Sequence, residues 1–87
     1  MLKDVEIPKG ITTLEDSIFN CCNLQTIVIP NNITTIGDGA FCWNNLKSIT
    51  IPNTVVTIGE SAFDGNQCES ITIPDSVTTI GNNAFYN

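Results

Sequence analysis

The chain has 87 residues, with nine acidic against three basic side chains, a net charge of −6 and no histidine. That length allows one domain with a marginal globular core, and that charge leaves no basic footprint for phosphates, which argues against nucleic acid and anionic membrane surfaces as partners. Charged residues make up only 14%, below the roughly 25% usual in soluble domains, and the abundance of Ile, Thr and Asn suits β-ladders closed by polar turns.

No apolar run approaches the about 18 residues that suggest a membrane span, and Met1-Leu2-Lys3-Asp4 enters a repeat directly, so no signal peptide is expected either. Localisation is left open between the cytosol and a piece whose leader lies elsewhere. One period runs through the whole chain. Pro8, Pro30, Pro52 and Pro74 stand 22 residues apart, as do Val5, Ile27, Ile49 and Ile71, and Phe19, Phe41, Phe63 and Phe85. Units of this size cannot bury their apolar faces alone and must stack, so the period predicts a solenoid. The expected organisation is one repeat domain over 1–87, with repeats at about 2–23, 24–45, 46–67 and 68–87.

Each copy opens on an L-x-x-I-x-I run: Leu2 to Ile7, Leu24 to Ile29, Leu46 to Ile51, and Cys68 to Ile73 with Cys in the Leu column. Alternation of period two predicts strands there, stacked in one parallel sheet, with Val5, Ile27, Ile49 and Ile71 inward. The outward columns are Asp4, Thr26, Ser48, Ser70 and Glu6, Val28, Thr50, Thr72. The following Pro cannot donate to a ladder and turns the chain, helped by polar pairs such as Asn31-Asn32 and Asn53-Thr54. A second extended stretch comes next, with Ile33 and Ile36 inward. Gly37, Gly59 and Gly81 close it, which predicts positive φ at these glycines. Glu15 stands in the same column of repeat one.

An acid or amide follows that column at Asp16, Asp38, Glu60 and Asn82. It reads as the N-cap of a single helical turn near each Phe. A cation column is the weaker reading, because one carboxylate per rung falls short of the about six oxygens that calcium takes. The Phe column predicts an aromatic spine, and Asn44 and Asn66 are placed where a buried amide bonds the backbone of the turn. Cys22 takes their place in repeat one. Cys21, Cys42 and Cys68 sit in turn and core columns, so unpaired thiols are expected, with a Cys21–Cys42 bridge as the alternative.

The phrases IVIPNNITTIGDGAF, ITIPNTVVTIGESAF and ITIPDSVTTIGNNAF resemble the BspA-like class of leucine-rich repeats, over essentially the whole chain. The resemblance implies a β-rich leucine-rich-repeat solenoid, a right-handed coil with one parallel sheet and short helical turns. It also implies a setting at bacterial or protist surfaces, where such arrays serve adhesion and host-protein binding.

No chemistry-bearing motif accompanies the repeats. Without His a nucleophile has no ordinary base, the carboxylates are scattered, and there is no phosphate-binding glycine loop, so no catalytic residue, metal or cofactor is expected. The expected function is non-enzymatic protein binding through the outward strand face, at Thr26, Val28, Ser48, Thr50, Ser70 and Thr72, with Trp43 as an exposed aromatic candidate. The alternative is a structural unit that self-associates through its end rungs, the C-terminal edge above all.

Overall fold

The fold is described from a computed structural model, for residues 7–66, 68 and 70–86. The strand expected over 2–7 therefore lies outside the described residues apart from Ile7, as do Asp4 and Glu6 of the outward columns. Six short strands are present among the described residues: β1 (Thr13–Leu14), β2 (Thr35–Ile36), β3 (Ser48–Thr50), β4 (Thr57–Ile58), β5 (Ser70–Thr72) and β6 (Thr79–Ile80). They form two sheets. One has the order β1-β2-β4-β6 and the other pairs β3 with β5, and every pairing is parallel with a step of 22 residues, as in Thr35↔Thr57 and Ile49↔Ile71. The chain is a solenoid of the leucine-rich-repeat type.

The single sheet expected from the L-x-x-I-x-I runs is thus replaced by two, and the longer ladder runs through the second extended stretch. Two features shorten the first runs. The Leu24 and Leu46 N–H groups donate to the side-chain Oδ1 of Asn44 and Asn66 rather than to a neighbouring strand, and the Pro at the far end has no N–H at all. Between them, Leu24–Ile29 retains one bridging residue, Val28. At each corner a turn closes from Ile33, Val55 and Val77 back to the carbonyls of Pro30, Pro52 and Pro74, each at 3.2 Å. The polar corner residue then bonds the rung below: Thr54 Oγ1 donates to Ile33 O at 2.7 Å and Ser76 Oγ to Val55 O at 2.8 Å.

The helical turns expected near each Phe are not helices. Alternate residues bond differently: Ala40 and Cys42 donate three residues back to Gly37 and Gly39, whereas Gly39, Phe41 and Trp43 donate to Glu60, Ala62 and Asp64 of the next rung. Left-handed residues enforce this alternation, at Ser17, Gly39, Ser61 and Asn83 in one column and Cys21, Trp43 and Gly65 in another, with φ between 57° and 83°. A helix cannot pass through a residue in that conformation. The positive φ expected at Gly37, Gly59 and Gly81 is likewise absent from them. These glycines are needed for close approach instead: a β-carbon on Gly59 would lie 2.6 Å from Asp38 N, and one on Gly81 2.4 Å from Glu60 N, in each case backbone of the rung below.

The core lies inside the coil. Leu14, Ile33, Ile36, Phe41, Val55 and Ile58 are fully buried, and the Phe column stacks with ring centroids 5.5, 5.3 and 5.4 Å apart. Asn44 and Asn66, also buried, each donate from Nδ2 to two Phe carbonyls, that of their own rung and that of the rung below. Among the described residues, every buried side-chain nitrogen and oxygen has a partner, and no helix is long and apolar enough to cross a membrane.

Candidate protein-interaction surface

The strand pairing β3–β5 sets Ser48 beside Ser70 and Thr50 beside Thr72, while the inward Ile49 is buried against the core. Period two then sends the residues on either side of Ile49 to solvent. Thr26, Ser48, Thr50 and Thr72 are exposed, and Val28 is 79% exposed, an apolar side chain on a face otherwise made of hydroxyls. Beside it, Gln25, Thr26, Asn45, Lys47 and Ser48 line a shallow, open depression. The strand-face residues of the second and third rungs, Thr26 and Ser48, therefore share one surface feature. Lys47 adds a cation to it, and the Asn45 side chain donates to Asn23 at its edge. Gln25, Asn45 and Lys47 were not among the residues singled out from the sequence, because they flank the alternating run and do not belong to it.

Trp43 belongs to the turn ladder and to neither sheet. Its backbone donates to Asp64 O at 2.7 Å, and its indole lies over Gly65 so closely that a β-carbon there would meet Cε3 at 2.5 Å. It packs on the following repeat and is still 62% exposed.

The acid column has a local use. Asp16 Oδ1 accepts from Asp38 N, and Asp38 Oδ1 from Glu60 N, both at 2.8 Å. The carboxylates cap backbone groups of the next rung, not of their own turn. Among the described residues no three His, Cys, Asp or Glu side chains gather to hold a metal. All four cysteines are free thiols. Burial, with smaller contributions from Asp64 and Cys21, pushes the Cys42 thiol above its ordinary value, and burial alone raises Cys68. Cys68, in the column of Leu24 and Leu46, packs against the core as a small apolar residue.

Rungs of 22 residues, parallel ladders, a Phe spine and an Asn ladder define a leucine-rich-repeat solenoid. The profile of the BspA type leucine rich repeat region matches in six copies over residues 1–87, and the chain belongs to that family. No curated protein matches it. Among solved structures it is similar to a leucine-rich repeat protein from Eubacterium ventriosum ATCC 27560, with 24% identity and a TM-score of 0.73 over 91% of this chain. That likeness shows the fold, and this chain spans 27% of that protein's length in the structure.

Proposed function

We propose that the chain is a non-enzymatic protein-interaction module that binds its partner through the strand face carrying Thr26, Val28, Ser48, Thr50, Ser70 and Thr72. The observation that carries this reading is Val28: a β-branched apolar side chain, 79% exposed, in the middle of a hydroxyl-rich parallel face and near a polar depression. Apolar contact surrounded by polar groups is the composition of a protein-binding patch. The absence of His from the sequence supports the non-enzymatic part. In the surface setting that the family resemblance implies, this face would serve an adhesin, with repeated rungs extending it. Its small aromatic content means that a few rungs bind weakly.

The test is selection of peptide ligands from a displayed library on the intact chain, followed by binding to variants. Val28→Glu and Thr50→Glu are expected to abolish most of the selected interactions and Trp43→Ala to leave them. The opposite pattern would move the binding surface to the turn ladder.

A second reading, self-association through the C-terminal rung, is supported by exposure at that end. Ile73 and Ile80 are 39% and 47% exposed, where Ile51 and Ile58 one rung lower are 4% and 0%.

A further inference from the structure

The open face of the fourth rung has a defined chemistry, because three rung junctions inside the chain show what an incoming rung must carry. The first requirement is glycine. At Gly37, Gly59 and Gly81 a β-carbon would stand 2.4 to 2.8 Å from backbone atoms of the rung below, closer than any carbon can approach. The second is asparagine. Asn44 reaches down to Phe19 O, and Asn66 to Phe41 O, each at 2.9 Å, so a buried carbonyl of the lower rung is satisfied by an amide of the upper one.

Repeat one carries neither. Glu15 occupies the glycine column and Cys22 the asparagine column, and Ile18, 42% exposed, takes the column where Ala40 and Ala62 are fully buried. The first rung is built to be stacked upon and not to stack.

We propose that the C-terminal face of this chain accepts a rung of the same 22-residue repeat bearing Gly and Asn in those two columns, and rejects the chain's own first rung. Glu15 thereby bars head-to-tail polymerisation. The occupant is identified by continuity: the exposed Ile73, Ile80 and Phe85 prolong the columns that Ile51, Ile58 and Phe63 close beneath them. This specificity does not depend on the strand-face reading.

Two chains lengthened after Asn87 test the acceptance directly. One carries a second copy of residues 44–65, which keeps the 22-residue register; the other carries the same copy with glutamate in place of the glycine that repeats Gly59. The first is expected to melt about 5 °C or more above the parent chain, and the second within about 2 °C of it. Equal gains, or no gain from the glycine form, would overturn the proposal. A third chain, the Glu15→Gly, Cys22→Asn double variant, is expected to form oligomers whose mass rises with concentration in sedimentation, while the parent chain does not polymerise. Open-ended polymers of the parent chain would contradict the block at Glu15, and so would a folded double variant that sediments like the parent.

Discussion

The side-chain amide of Asn66 donates to the carbonyl of Phe41, 25 residues earlier and one rung below, at 2.9 Å, while its Oδ1 accepts from Leu46 N at 3.0 Å. Asn66 also bonds Phe63 O, so one buried side chain joins two turns and the start of a strand run. Asn66→Ala leaves a buried N–H and its carbonyl partners short of bonds. A loss of about 3 kcal/mol or more in chemical denaturation is the expected outcome. A loss below about 1 kcal/mol would mean that water replaces the ladder.

Glycine columns separate close approach from looseness. Gly59→Ala drives a β-carbon into the backbone of Asp38 and Gly37, whereas Gly10 has nothing within 4 Å of the same position. Gly59→Ala is expected to cost about 3 kcal/mol, at the upper end for overpacking, and Gly10→Ala less than about 0.5 kcal/mol. Thermal melts of the two variants side by side measure the difference.

The period, the Pro corners, the Phe spine and the Asn ladder were legible because each is carried by a side chain that recurs in its column. The split into two sheets was not. A side-chain amide takes the N–H of Leu24 and Leu46, and nothing in an alternating run such as LQTIVI tells which of its donors will leave the ladder. Glycine was misread for a related reason: a glycine under a crowded backbone and one in a left-handed turn look alike in sequence. Here the left-handed positions include Ser17, Cys21, Trp43, Ser61 and Asn83, which no turn signal marks. Of the candidate surface, the hydroxyl columns follow from period two. The depression at Gln25, Asn45 and Lys47 needs the juxtaposition of two rungs.

Phe41 is fully buried between Phe19 and Phe63. Phe41→Ala is expected to cost about 3–5 kcal/mol, and Thr50→Ala, on the exposed face, less than about 0.5 kcal/mol. Urea titrations check both.

Trp43 is the sole tryptophan, and its indole rests on Gly65. Gly65→Ala must displace the ring and also places a side chain at φ +83°. A red-shifted emission spectrum with easier quenching is expected. An unchanged spectrum in a folded variant would show that the indole rests elsewhere.

The thiols of Cys42 and Cys68 are raised above their ordinary value of 9.0, mainly by burial. Burial disfavours the thiolate, so above that value the folded chain holds protons that the unfolded chain releases, and stability falls as pH rises. Alkylation at both sites is expected to stay slow at neutral pH in the folded protein and to accelerate in urea.

The register of the coil is most directly read from through-hydrogen-bond couplings in an isotopically labelled sample. Phe41 N–H should couple to the carbonyl carbon of Ala62, and Gly59 N–H to that of Ile36, matching N···O distances of 2.8 Å in both cases. Couplings within that 22-residue step are required by rung stacking. Couplings between antiparallel partners, or in a different step, would contradict it.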